Sequence, residues 1–221
     1  MSNILRTLAE KAQPNHTALL IVDMQNDFCA QGGYLQRTRA ESGRNPIRVD
    51  ENAVIADRIG QLAAVARRSG ATVAWLRSVY DFKYLADAHV AMRDDEGCCM
   101  EGTWGADFFR IQPHEGDVVV DKHTFSGFHE TGLHAQLQAR GIKTLVMTGV
   151  ATNVCVDSTL RHGFFLGYHI VVAEDCVGSG NQTGHEGTLS TVKVNFGEVT
   201  ACADLLQLFD QHVRAGVSPV L

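Results

Sequence analysis

Residues 17–22, Thr-Ala-Leu-Leu-Ile-Val, form a continuous apolar run that stops at Asp23, and similar runs recur at 71–76, 117–120, 143–148 and 169–173. Strands that read apolar throughout, rather than alternately, are buried on both faces, the condition of a parallel sheet covered by helices. Between the runs lie segments of helical spacing, at 53–68, 130–140 and 153–166, closed by Gly70, Gly141 and Gly167. Glycine just past a helix supplies the left-handed backbone that ends it. A sixth strand is expected at 197–200 and a last helix at 201–215. This alternation, joined by right-handed crossovers, predicts an α/β fold: a three-layer α/β/α sandwich with a mainly parallel sheet of about six strands.

The chain has 221 residues, 45% of them hydrophobic, enough for one sizeable core, and no repeat, linker or shift of composition divides it. Residues 1–221 are therefore expected to form a single domain. The net charge of -6 and the scattered basic residues, paired at most as in Arg67-Arg68, exclude a nucleic-acid surface. Residues 1–13 are polar and mixed in charge, without a signal-peptide core, and no later run approaches the ~20 residues that span a bilayer. No membrane partner is expected, and a cytoplasmic location is. There the six cysteines, Cys29, Cys98, Cys99, Cys155, Cys176 and Cys202, are expected to be free thiols, and their spacing matches no zinc site. Small molecules remain as the expected partners.

Two stretches, residues 24–49 and 79–116, lack a regular pattern, and loops this long in a compact domain usually cover a site or an interface. Ligands of an open α/β sheet sit at the C-terminal ends of its strands. That rim receives Asp23 from the first strand, Lys122 a turn beyond the strand at 117–120, and Cys155. Cys155 lies in Thr148-Gly149-Val150-Ala151-Thr152-Asn153-Val154-Cys155, where an apolar run breaks at small residues and a helical pattern begins. A thiol at a helix N-terminus is expected to have a lowered pKa and backbone N–H groups at hand for an oxyanion. Taken singly, each residue has a plainer reading: Cys155 as a small buried hydrophobe, Asp23 as a cap or turn residue, Lys122 as a surface lysine. Cys176 ends another strand without such a turn and reads as core or rim.

The chain resembles the isochorismatase-like cysteine hydrolases along nearly its whole length. The resemblance rests on Ala18-Leu19-Leu20-Ile21-Val22-Asp23-Met24-Gln25-Asn26-Asp27-Phe28, on Asp121-Lys122-His123-Thr124-Phe125-Ser126-Gly127-Phe128, and on Gly149-Val150-Ala151-Thr152-Asn153-Val154-Cys155-Val156. It implies a catalytic triad of Asp23, Lys122 and Cys155, a cis Val150–Ala151 peptide, and an oxyanion hole made by the N–H groups of Ala151 and Cys155. In the mechanism it implies, a Cys155 thiolate favoured by Lys122 attacks an amide carbonyl, while Asp23 moves the proton to the departing nitrogen and then activates water against the thioester.

Residues 149–167 and 25–34 look nearest to the ureidoacrylate amidohydrolase and biuret hydrolase branch. A small ureido or carbamoyl amide, such as ureidoacrylate, biuret or triuret, is the implied substrate, with ammonia released; an N-carbamoyl amino acid or nicotinamide stays open. Metal-bearing members carry Asp-x-His and a further histidine after the second strand, where this chain has Ser78-Val79-Tyr80-Asp81-Phe82-Lys83-Tyr84 with His89 as the nearby histidine. No metal and no other cofactor is therefore expected. Phe28, Tyr34, Tyr80, Lys83 and Trp104 are the candidate substrate-binding residues, the aromatic rings to flank a planar group and Lys83 or Arg77 to pair with a carboxylate. The family also implies a homo-oligomer, dimer or tetramer, and leaves open whether residues 79–116 lie at its interface and complete a neighbour's pocket.

Two readings compete. Gly178-Ser179-Gly180-Asn181-Gln182-Thr183-Gly184 follows a strand and precedes a helix-like stretch, as a dinucleotide-binding turn would, but its last glycine interval is one residue too long and it does not follow the first strand. A non-catalytic thiol-sensing or ligand-binding protein is the other, with Cys98-Cys99 as the sensing pair.

Overall fold

The five apolar runs and the segment at 197–200 form six strands: β1 (Thr17–Val22), β2 (Thr72–Ser78), β3 (Val118–Lys122), β4 (Thr144–Val150), β5 (His169–Gly178) and β6 (Gly197–Thr200). The computed structural model describes residues 4–41, 48–92 and 97–216. Within them the strands make one sheet in the order β3-β2-β1-β4-β5-β6, and every pairing is parallel. The helices are α1 (Leu8–Lys11), α2 (Asn26–Cys29), α3 (Tyr34–Glu41), α4 (Val49–Ser69), α5 (Asp87–Val90), α6 (Leu133–Ala139), α7 (Asp157–Phe165), α8 (Gln182–Asn195) and α9 (Cys202–Gly216). No helix among the described residues is long and apolar enough to cross a membrane.

Alternate residues of each strand point to opposite faces, and the two faces have separate cores. Leu19 and Ile21 pack with Val73, Trp75, Val146 and Val171 beneath Ile59 and Leu62 of α4 and Leu205 and Phe209 of α9. Leu20 and Val22 pack with Leu76, Leu145, Met147 and Val172 against Leu137 of α6, Leu160 of α7 and Val192 of α8. Full burial of each such side chain contributes about 1.5–3 kcal/mol, so the three layers follow from strands apolar on both sides. Helix α4 carries Asp50 and Glu51 in its first turn and Arg67 and Arg68 in its last, the signs its dipole favours, and ends at Gly70 with φ +88°.

The structure departs from the sequence expectations at several places. The edge strand β3 buries one face only, leaving Val119 44% exposed, because no β3 residue joins the core under α4 and α9. Lys122 is the last residue of β3, not a turn beyond it. The helix expected over 153–166 begins as a single π-helical turn, Thr152–Val156, and α7 follows at Asp157. The stretches 24–49 and 79–116 hold short helices, α2 and α3 in the first and α5 in the second.

Strand order runs outward from β1 to β3 on one side and from β4 to β6 on the other. The crevice between the C-terminal ends of β1 and β4 is thus the point where the winding reverses, the usual ligand position in such sheets. Gly149 makes the close approach there possible. It pairs with Val22 at φ +104°, and a Cβ on it would lie 2.0 Å from the Val22 carbonyl oxygen.

Candidate active site

Asp23 leaves β1 in a left-handed conformation, φ +51°, which aspartate tolerates better than most residues. Its N–H donates to the Leu76 carbonyl at 2.9 Å and its carbonyl accepts from Gln25 N–H at 2.7 Å, so the turn is anchored on β2. Its carboxylate is out of water, as is the ammonium of Lys122, and Oδ2 stands 2.9 Å from Nζ. Ser78, the last residue of β2, joins the two: its hydroxyl donates to Asp23 Oδ1 at 3.0 Å and accepts from Lys122 Nζ at 2.8 Å. Lys122 also donates to the Thr124 carbonyl at 3.0 Å and the Tyr80 hydroxyl at 3.4 Å. Burial alone would push the Lys122 pKa down, but the charges of Asp23 and of a Cys155 thiolate outweigh it and hold it above its ordinary value.

Cys155 sits within the π-helical turn that follows β4, buried except where it lines the cavity described below. Its sulfur lies 3.8 Å from the Tyr80 hydroxyl. The expectation of a lowered thiol pKa does not hold. Burial first, and then the negative charge of Asp23, push it up to about 12, while Lys122 pulls the other way and does not prevail. At neutral pH the resting group is a thiol. Apart from its ion contact with Lys122, Asp23 Oδ2 has no hydrogen-bond partner among the described residues, which leaves a lone pair for a proton. The Val150–Ala151 peptide is cis.

Asp23, Cys155, Val150 and Ala151 border a cavity of about 740 Å³ at the switch point. The segments 24–49 and 79–116 wall it: Phe28, Tyr34, Arg39 and Arg48 come from or beside the first, and Tyr80 and His89 from the second. The two walls are tied together by three consecutive side chains. The buried Gln25 amide donates to the carbonyls of Ser78 and Ala106, at 2.9 and 2.8 Å, and accepts from Ser78 N–H at 2.7 Å. Asn26 donates to the Trp104 carbonyl at 2.8 Å, and Asp27 accepts from the N–H groups of Tyr34 and Cys99, at 2.9 and 2.7 Å.

Of the substrate-binding candidates, Phe28, Tyr34 and Tyr80 line this cavity, and Lys83 and Trp104 do not. Lys83 pairs instead with Glu101 at 2.6 Å on the surface and lies over the Tyr84 ring, and the Trp104 side chain is exposed. Arg77 is held by both carboxylate oxygens of Asp121, at 2.6 and 2.7 Å. Among the described residues, the arginines lining the cavity are Arg39 and Arg48; Arg48 is paired with Glu51 at 2.7 Å, and Arg39 is also engaged. Reasoning from sequence did not assign roles to Ser78, Gln25, Arg39 or Arg48. Only Gln25 carried a signal, as part of the motif around Asp23. His89 stands edge-on to the rings of Tyr80 and Phe125. All six cysteines are free, and Asp27, Cys98 and Cys99 converge beneath the second wall, with donor atoms within 4.8 Å of one another.

The family profile described as "Isochorismatase domain" matches residues 17–204. A ureidoacrylate amidohydrolase, RutB, of Enterobacter sp. (strain 638) is 36% identical over 210 residues, covering 86% of this chain and 88% of that protein. Among solved structures, a cysteine hydrolase from Pseudomonas syringae pv. phaseolicola 1448A superposes with a TM-score of 0.81 at 26% identity, covering 96% of this chain and 100% of that one. An N-carbamoylsarcosine amidase from Thermoplasma acidophilum does so with a TM-score of 0.67 at 26% identity, covering 85% of this chain and 96% of that one.

Proposed function

Since the chain belongs to the isochorismatase family of hydrolases, we propose that it is a cysteine-dependent amidohydrolase cleaving the C–N bond of a small ureido or carbamoyl amide of the ureidoacrylate kind. The observation that carries this reading is the meeting of Asp23, Lys122 and Cys155 beside one cavity, through the 2.9 Å ion pair and the shared contacts of Ser78 and Tyr80. The substrate class is supported by the 36% identity to a ureidoacrylate amidohydrolase.

The resting thiol is a weak nucleophile, so its proton passes to Asp23 as the sulfur attacks the amide carbon. The N–H groups of Ala151 and Cys155 hold the oxyanion; losing one such donor typically costs about 2.7–4 kcal/mol of barrier. The C–N bond then breaks, and Asp23 returns the proton to the nitrogen so that ammonia leaves. Water, losing a proton to Asp23, attacks the thioester, and the acid and the thiol are regenerated. Lys122 and Ser78 hold the Asp23 carboxylate in place between the two steps. Arg39 and Arg48 offer guanidinium groups to a substrate carboxylate, in place of the Lys83 and Arg77 favoured by the sequence.

In this reading no metal takes part: from the stretch 78–84, the region in which metal-bearing members carry their ligands, Ser78 and Tyr80 are engaged with Lys122. Ammonia release from ureidoacrylate, biuret, triuret, N-carbamoyl amino acids and nicotinamide tests the proposal. Turnover of a ureido or carbamoyl amide that survives chelation, is abolished by Cys155→Ala and is largely kept by Cys98→Ala is expected. Ammonia release undiminished in Cys155→Ala, or no release from any of these amides, would overturn it. A homo-oligomer in the cytoplasm completes the proposal, and the elution volume on gel filtration checks the assembly.

A further inference from the structure

Among the described residues, Asp23, Lys122 and the hydroxyl of Tyr80 are the polar side chains that bear on the Cys155 sulfur. A ring that merely flanks substrate leaves this hydroxyl without a purpose. The side chain is 2% exposed, and its ring is set by edge contacts with Phe28 and His89 at centroid distances of 6.3 and 5.1 Å. Its oxygen accepts from Lys122 Nζ at 3.4 Å and lies 3.3 Å from the Thr124 carbonyl and 3.8 Å from Cys155 Sγ.

A phenol has one proton to donate. In the resting enzyme the carbonyl of Thr124 competes for it with a neutral thiol, a weak acceptor. Once the thiol proton has moved to Asp23, the sulfur is an anion with lone pairs only and is much the stronger acceptor. Resting on the reading of Cys155 as nucleophile, we propose that Tyr80 is a further catalytic residue: its hydroxyl, polarised by Lys122, turns its hydrogen bond from Thr124 to Cys155 Sγ as the thiolate forms. No proton changes owner in this step. Tyr80 stays a phenol, and the thiol proton goes to Asp23 as before. The charged and titratable groups bearing on the sulfur are Asp23 from β1, Lys122 from β3 and Tyr80 after β2, with Cys99 acting on Lys122 and His89 packed on the Tyr80 ring.

Tyr80→Phe keeps the ring and its contacts and removes only the hydroxyl. Two readouts are needed: the pH dependence of alkylation of Cys155 by iodoacetamide, followed on the peptide that contains it, and the kinetics of ammonia release. Relative to the unsubstituted enzyme, Tyr80→Phe is expected to alkylate with its profile displaced to higher pH. Its kcat should fall about ten- to a hundredfold, the worth of a hydrogen bond to a charged group, with KM nearly unchanged. A ring that only flanks substrate predicts the opposite pattern: no effect in Tyr80→Phe and a raised KM in Tyr80→Leu. An unshifted alkylation profile in folded Tyr80→Phe, or a loss confined to KM, would overturn the proposal. Alkylation needs no substrate, so a displaced profile in an enzyme that turns over none of the amides would defeat the substrate assignment and leave Tyr80 standing.

Discussion

Lys122 and Asp23 are both removed from water, and such a pair stabilises a protein only while it remains a pair. Lys122→Met therefore does more than remove the charge proposed to act in catalysis: it strands a carboxylate beside a buried thiol. The expected result is a loss of about 3–5 kcal/mol in unfolding free energy, read from urea titration, together with loss of ammonia release. Adding Asp23→Asn should restore part of the stability and none of the activity. A single variant as stable as the parent would show that the pair is more hydrated than its burial implies. The positions of these residues were legible in the sequence because each ends a strand or the turn after one. The acidity of Cys155 was not, because its sign depends on how completely the fold dries the sulfur and on a carboxylate 132 positions away in the chain. Lys83 misled for the same reason, since its partner Glu101 is set by the folding of the loop and not by spacing.

At the scale of elements, the apolar runs marked the first five strands, because burial leaves a signal that composition alone carries, whereas the half-buried β6 was placed by the alternation of strand and helix. They marked least well the edge strand β3, which alternates, and the walls of the cavity, whose short helices are too brief to show a period. What orders those walls is polar: the amide of Gln25, clamped between the end of β2 and the turn at Ala106. Gln25→Leu fills a similar volume but leaves the Ser78 N–H and two carbonyls without their partner, at about 1–3 kcal/mol for each buried group. Because Ser78 is also the hydroxyl between Asp23 and Lys122, the expected outcome is a joint loss: a lower urea midpoint and a lower kcat. A variant with reduced stability and full kcat would mean that Ser78 holds its place without Gln25.

For the molecule as a whole, its free thiols make stability a function of alkaline pH. Burial is the main cause that raises the pKa of Cys29, Cys99 and Cys155 above the ordinary 9.0. Below pH 9 these groups keep their protons in both the folded and the unfolded chain and cost nothing. Above it the unfolded chain releases them and the folded one does not, so stability falls as pH rises, by about 1.4 kcal/mol for each thiol per pH step. The share of Cys155 runs from 9 to about 12, where the folded thiol also ionises. Lys122, held above its ordinary 10.5, loses its contribution in the same direction but higher up, in any variant that retains its neighbours. Urea titrations of the parent and of Cys155→Ala across this range are expected to diverge, with the variant losing stability less steeply between pH 9 and 12. Parallel slopes would mean that the fold does not hold Cys155 protonated, and an attack that begins with proton transfer to Asp23 would give way to one from a preformed thiolate.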